Sequence, residues 1–155
     1  MENRRYYIAY GSNLNIDQML RRCPTARVTG TAVLRGWRLL FKGSKTGSYL
    51  TIEPDSAHSV PVAVWSVTEA DERSLDRYEG YPSFYYRKVL PVDITGIRSG
   101  KTYRRSAFVY IMHEERPIGI PSREYVRTCA DGYRDFGFGL RPLAEALQFS
   151  EEAVG

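Results

Sequence analysis

Strand-forming runs dominate this sequence, and each is cut short by a turn signal. Tyr6 to Tyr10 stops at Gly11-Ser12-Asn13, and Val28 to Leu34 and Trp37 to Phe41 flank a tight turn at Arg35-Gly36. Tyr49 to Ile52 runs into Glu53-Pro54-Asp55. Val60 to Val67 is rich in valine and reads as a central strand, with Pro61 tolerated at its beginning. Phe84 to Asp93 and Arg104 to Met112 read as two more strands, joined by a hairpin loop from Thr95-Gly96 to Gly100-Lys101. Helical periodicity is confined to a few short stretches. The expected architecture is therefore α+β: a small mixed β-barrel with short helices at its rim and C-terminal helices packed outside.

The helices announce themselves by spacing and caps. Ile16, Met19, Leu20 and Cys23 form one apolar face over residues 15 to 23, with Asn15 to cap the start and Pro24 to end it. Thr68 to Tyr78 is the second helix; Thr68 and Asp71 have capping-box spacing, and Gly80 suits a left-handed termination. Ser122 caps a third helix carrying Tyr125, Val126, Cys129 and Tyr133. Gly137-Phe138-Gly139 breaks it, and Leu140 to Phe149 forms the last.

Length and charge narrow the function classes. The chain has 155 residues, with 22 Lys+Arg against 18 Asp+Glu for a net +4, which suits one domain over residues 1–155. No stretch approaches the roughly 20 apolar residues of a membrane helix, and the N-terminus is too aromatic for a signal peptide. Cys23 and Cys129 match no metal or redox spacing and read as reduced thiols of a cytoplasmic protein. With only His58 and His113, no metal site and no Ser-His or Cys-His catalytic unit is expected. The positive charge is unclustered, so a nucleic-acid partner is not expected either. A monomer or a homodimer fits this composition. The excess is in tyrosine, at 12 residues; tyrosine fills cores and lines pockets with a hydroxyl to spare.

Three segments have the makings of chemistry. At Tyr10-Gly11-Ser12-Asn13-Leu14 a strand ends, a glycine follows and a helix begins at once. The free amides of such a turn converge on one point and suit a carboxylate or phosphate, although the same residues also serve as a plain cap of the helix. Glu79 falls in the last turn of the second helix, where the negative dipole end and Tyr78, Tyr81 and Phe84 would raise its pKa and suit it to act as base and then acid; a solvated helix-end glutamate is the other reading. Tyr85 and Tyr86 point to opposite faces of their strand, so one of them can enter the barrel and meet Glu79.

Together these segments resemble the γ-glutamylcyclotransferase family, also called the AIG2-like or BtrG-like fold. Tyr10-Gly11-Ser12-Asn13-Leu14 is similar to its Y-G-S-N-L loop. Leu75 to Tyr86, with Glu79-Gly80 and a tyrosine seven residues after the glutamate, is similar to its catalytic-glutamate segment. Pro121-Ser122 to Gly132-Tyr133 and Gly139-Leu140 are similar to its C-terminal helical region, so the resemblance runs over about residues 6 to 148. It implies a cofactor-free, metal-free acyl-transfer or lyase reaction. The α-amino group of an L-γ-glutamyl amine or amide attacks its own γ-carbonyl, releasing 5-oxoproline and a free amine. By position, Glu79 would be the general acid/base. The amides of Gly11, Ser12, Asn13 and Leu14 would bind the substrate carboxylate, and one or more of them would stabilise the developing oxyanion. Tyr86 would orient the glutamyl group, with Tyr85 as the alternative if the alignment slips by one. Tyr10 and Tyr125 would line the same cavity.

The resemblance leaves the leaving amine open. Members act on γ-glutamyl amino acids, on γ-glutamyl-ε-lysine and on γ-glutamylated aminoglycoside intermediates. The loops Lys42 to Tyr49 and His113 to Pro121 are the places to read it, and Glu114-Glu115 would attract a cationic amine unless the pair simply faces water. A non-catalytic module that binds a small carboxylate on the same fold is the competing reading.

Overall fold

The computed structural model describes residues 3–44 and 46–155. Five strands, β1 (Arg5–Ala9), β2 (Arg27–Ser44), β3 (Gly47–Val67), β4 (Tyr85–Gly96) and β5 (Thr102–Met112), close into a barrel in the order β1-β3-β2-β4-β5. All neighbours are antiparallel except β1 and β5, which run parallel with Tyr7 opposite Phe108, so the barrel is mixed.

The long ribbon of β2 and β3 corrects the expected strand count. Val28–Leu34 and Trp37–Phe41 belong to one strand of 18 residues, and Tyr49–Ile52 and Val60–Val67 to one of 21. Arg35-Gly36 is no hairpin turn. The two strands pair from Arg27↔Ser66 to Ser44↔Gly47, and the ladder slips between Arg35↔Ser59 and Trp37↔Pro54. The turn residues read from the sequence are thus accommodated as a bulge, which bends a strand without ending it. Lys45, part of the expected 42–49 loop, lies outside the described residues.

Closure on the other side is narrow. Strand β2 meets β4 at only two pairs, Gly30↔Gly96 and Thr31↔Thr95. A Cβ at Gly30 would stand 2.2 Å from the Thr95 carbonyl oxygen, so only glycine permits this approach. The hydrophobic core includes Ile8, Phe41, Leu50, Ile52, Trp65, Ile94 and Tyr110, all buried.

Four helices surround the barrel: α1 (Ile16–Arg22), α2 (Glu69–Glu79), α3 (Arg123–Asp135) and α4 (Arg141–Val154), the last extending beyond the expected Phe149. The Asn15 side chain caps α1 by accepting from the Gln18 amide at 3.1 Å. The Thr68–Asp71 box caps α2, and Asp71 also accepts from Thr25 Oγ1 at 2.8 Å, pinning this helix start to the segment before β2. Helix α3 presses on the turn that follows β1. A Cβ at Gly132 would lie 2.5 Å from the Asn15 nitrogen, and Asn15 Nδ2 donates to the Thr128 carbonyl at 3.2 Å. Helix α4 covers β2, with Leu143 and Ala146 buried and Arg38 lying 4.1 Å above the Phe149 ring. No helix among the described residues is long and apolar enough to cross a membrane.

Candidate active site

A cavity of about 400 Å³ opens at one end of the barrel. Seven of the 12 tyrosines line it: Tyr7, Tyr10, Tyr49, Tyr78, Tyr85, Tyr110 and Tyr125. The tyrosine excess is thus concentrated on one wall-to-wall surface of apolar rings edged with hydroxyls. Glu79 is the carboxyl group in that lining.

The loop after β1 forms one wall. Gly11, Ser12 and Asn13 line the cavity as Ser12–Leu14 turns into a short 3₁₀ helix. Amides that open such a turn have no acceptor within it, so those of Ser12 and Asn13 are available to a ligand. Leu14 does not belong with them. Its side chain is fully buried, it is absent from the cavity wall, and its amide donates to the Gly11 carbonyl at 3.0 Å. Gly11 has a negative φ of −129°, and a Cβ there would make van der Waals contact with Leu50 and the Tyr125 hydroxyl at 3.4 Å.

Glu79 is placed by helix α2. Gly80 takes a left-handed conformation (φ 63°), with the Gly80 and Tyr81 amides returning to the Arg77 and Asp76 carbonyls. The helix therefore stops with Glu79 at the cavity. Its carboxyl is pushed up to about 8, chiefly because burial disfavours the charged form, with the Arg22 guanidinium pulling in the opposite direction. Desolvation, rather than the helix end, dominates. Of the three aromatics expected around it, Tyr78, itself partly exposed to solvent, and Phe84 line the cavity, whereas Tyr81 does not.

Strand parity decides between the two neighbouring tyrosines. Tyr85 is buried, lines the cavity and donates to the Leu50 carbonyl at 2.7 Å. Tyr86 points outward, and its hydroxyl binds the Glu114 carboxylate at 2.5 Å. The seven-residue spacing that favoured Tyr86 crosses the turn at residues 80–84, where Phe84 N–H returns to the Gly80 carbonyl, and β4 leaves that turn with Tyr85 facing inward. Glu114 is engaged away from the cavity, and Lys42 is held by Glu53 at 2.6 Å and by the Glu114 carbonyl at 2.7 Å.

The remaining hydroxyls are fixed by backbone. Tyr10 donates to the Tyr110 carbonyl at 2.7 Å, and Tyr125 accepts from the Leu50 amide at 3.0 Å. Burial pushes the phenols of Tyr7, Tyr10, Tyr85 and Tyr125 well above their usual range, so all four stay neutral. Tyr7, Leu50, Tyr110 and Arg22 carry no sequence signal for this role. They come from β1, β3, β5 and α1, and only barrel closure brings them together. Among the described residues, no three His, Cys, Asp or Glu side chains gather as metal ligands would.

A family model described as gamma-glutamyl cyclotransferase, AIG2-like, matches residues 7–127, a stretch that holds the loop, Glu79, Tyr85 and Tyr125. A Bos taurus protein named gamma-glutamylcyclotransferase is 30% identical over 142 residues, which cover 86% of this chain and 72% of its own. A Homo sapiens protein of the same name is 30% identical over 141 residues, with the same coverage of 86% and 72%. A solved structure described as a gamma-glutamyl cyclotransferase superposes with a TM-score of 0.76 at 25% identity, over 97% of this chain and 86% of that one. A yeast cyclotransferase described as specific to glutathione shares the fold alone, with a TM-score of 0.65 at 10% identity over 96% of both chains. Since the matched stretch takes in the barrel strands, the amide loop and the cavity glutamate together, the chain belongs to the gamma-glutamyl cyclotransferase, AIG2-like family and is an enzyme of that type.

Proposed function

We propose that the cavity binds an L-γ-glutamyl amine or amide and cyclises it to 5-oxoproline, with Glu79 as general acid/base. The observation that carries this reading is the Glu79 carboxyl, raised to about 8, in a cavity whose lining is rich in tyrosine and includes the turn that opens with the Ser12 and Asn13 amides. Raised to about 8, the Glu79 carboxyl is a closer match to an amino group than an ordinary carboxylate is, which suits it to take the α-ammonium proton. The Ser12 and Asn13 amides suit the substrate α-carboxylate. Glu79 takes a proton from the α-ammonium group, and the free amine attacks the γ-carbonyl carbon to close a five-membered ring. As the bond to the leaving nitrogen breaks, Glu79 gives that proton to it, then takes the second proton from the ring nitrogen, which leaves a neutral lactam, and passes it on to the released amine. Holding the glutamyl chain folded makes the attack intramolecular and supplies much of the rate.

The rim bears on the leaving group. Arg77 lines the mouth, and the Arg116 guanidinium sits 4.2 Å above the Phe84 ring; neither pairs with a carboxylate among the described residues. Such a mouth favours a leaving amine that carries a carboxylate over a cationic one. Cys23 and Cys129 are buried and unbridged, which supports a reducing, cytoplasmic setting.

The test is mass-spectrometric detection of 5-oxoproline from a panel of γ-glutamyl amino acids, γ-glutamyl-ε-lysine and γ-glutamyl amines. Wild type should convert at least one member, and Glu79→Gln should lower kcat by about 10²–10⁴-fold. Retained activity in that variant, or binding without conversion across the panel, would overturn the reading.

A further inference from the structure

The polar side chains behind the amide loop form a chain with only one consistent direction. Arg22, on α1, stacks 3.4 Å above the Tyr78 ring and donates from Nη1 to Asn13 Oδ1. A guanidinium can only donate, so this bond fixes which end of the Asn13 amide faces it. The other end, Nδ2, then donates to the Tyr7 hydroxyl oxygen at 2.9 Å. Tyr7 is therefore an acceptor in this bond, and its own hydrogen must go elsewhere. Among the described residues that hydroxyl meets no acceptor, Tyr7 is 4% exposed, and its ring lines the cavity. Glu79 and Asn13 line the same cavity as Tyr7. A buried hydroxyl held in this way presents an unmatched donor to whatever fills the cavity, and a donor already oriented stabilises charge that develops in the transition state.

We propose that Tyr7 is a further catalytic residue, the hydrogen-bond donor to the γ-carbonyl oxygen as it gains negative charge, and that Arg22 and Asn13 are positioning residues that set the direction of its O–H. The assignment rests on the cyclisation proposed above. It separates two tasks around the loop: its backbone amides face the substrate carboxylate, and the Asn13 side chain holds the donor for the reacting carbonyl.

The experiment compares wild type, Tyr7→Phe, Arg22→Met, Arg22→Lys and the Tyr7→Phe/Arg22→Met double variant. Each is assayed with the panel substrate that wild type converts fastest, on the alkaline plateau of its own pH–rate profile. The plateau matters because loss of the Arg22 charge also moves the Glu79 ionisation. Tyr7→Phe keeps the ring and should lower kcat about 10²-fold with KM changed by less than about threefold, the mark of an interaction made in the transition state. Arg22→Met frees the Asn13 amide to turn over and should lower kcat by about tenfold, whereas Arg22→Lys, also a pure donor, should stay within about threefold of wild type. The double variant should be no slower than Tyr7→Phe alone, since both changes remove one interaction.

A Tyr7→Phe kcat within threefold of wild type, or a rise in KM with kcat intact, overturns the donor role. Multiplicative losses in the double variant overturn the positioning role. If Tyr7→Phe fails to fold, the Met-against-Lys contrast at Arg22 decides instead, and equal kcat in those two variants overturns the proposal. Wild-type protein that converts no panel member overturns the cyclisation reading itself, an outcome distinct from active wild type with an unaffected Tyr7→Phe.

Discussion

At the scale of single residues, the chemistry depends on one carboxyl being kept partly protonated. The Glu79 carboxyl rises from 4.5 to about 8 because ionising it inside the cavity forfeits hydration that Arg22 only partly replaces. This has a consequence for stability as well as for rate. Between about pH 4.5 and about pH 8 the unfolded chain has already released this proton and the folded one retains it. Folding then binds a proton, and the Glu79 contribution to stability falls as pH rises through that window. Below it both states are protonated; above it both are ionised and the loss is complete. Glu79→Gln, which cannot ionise, should therefore gain thermal stability relative to wild type progressively from about pH 4.5 to about pH 8 and hold that gain above. Melting temperatures of the pair across pH 4 to 9 check it, and a constant difference would show that burial does not act on this carboxyl. Tyr7, Tyr10, Tyr85 and Tyr125 behave in the complementary way, since burial raises their phenols out of reach and leaves neutral donors and acceptors.

At the scale of elements, helix α2 is the part whose position matters most. Three carboxylates, Glu72, Asp76 and Glu79, follow one another at i, i+4 and i+7, on one face. The first two are clamped to the barrel. Glu72 is gripped by Arg5 at 2.6 Å and by Arg87 at 2.7 Å, and Asp76 by Arg87 at 3.2 Å and the Tyr110 hydroxyl at 2.5 Å. Burial alone would raise the Glu72 carboxyl, but the Arg5 and Arg87 bonds outweigh it and hold it below its usual range. Arg87 also lies 4.0 Å over Phe108, so β4 and β5 both take part in the clamp. Glu79, next along the same face, has no such partner and remains available for chemistry. Removing Arg87 leaves Glu72 to the exposed Arg5 alone. Arg87→Met should cost about 2–4 kcal/mol in urea unfolding, because a nearly buried carboxylate loses its sheltered partner. A loss under about 0.5 kcal/mol, the range of ordinary surface substitutions, would mean that α2 is held by its apolar face and its cap instead.

At the scale of the whole molecule, the site exists because the barrel closes. Tyr7, Leu50, Tyr85 and Tyr110 stand on four different strands, and α3 delivers Tyr125 from outside. The Leu50 peptide is the meeting point: its carbonyl accepts from Tyr85 at 2.7 Å and its amide donates to Tyr125 at 3.0 Å. Closure itself hangs on the two-pair contact of β2 with β4, and Gly30 sits at its centre. Gly30→Val should destabilise the fold by about 3 kcal/mol or more, beyond the usual cost of overpacking, because the obstructing atom is backbone and cannot swing aside. Circular dichroism melts and 5-oxoproline production should fail together. Normal activity at a normal melting temperature would show that the β2–β4 contact is dispensable.

What the sequence determined by itself were the features that depend on near neighbours. Caps at Asn15, Thr68 and Ser122, the helix stop at Gly80 and the alternating strands are local chemistry, and each stands where its residues place it. The turn at Gly11-Ser12-Asn13 and the position of Glu79 at a helix end were legible for the same reason. Tertiary structure decided the rest. Whether Arg35-Gly36 ends a strand or merely bulges it depends on a partner strand some 20 residues away, and that partner keeps pairing on both sides. Whether Tyr85 or Tyr86 faces the cavity depends on how the chain leaves the turn at 80–84, because a shift of one residue exchanges the two faces. The raised pKa of Glu79 depends most of all on the whole, since desolvation is imposed by walls drawn from every quarter of the chain and is written in no segment of it.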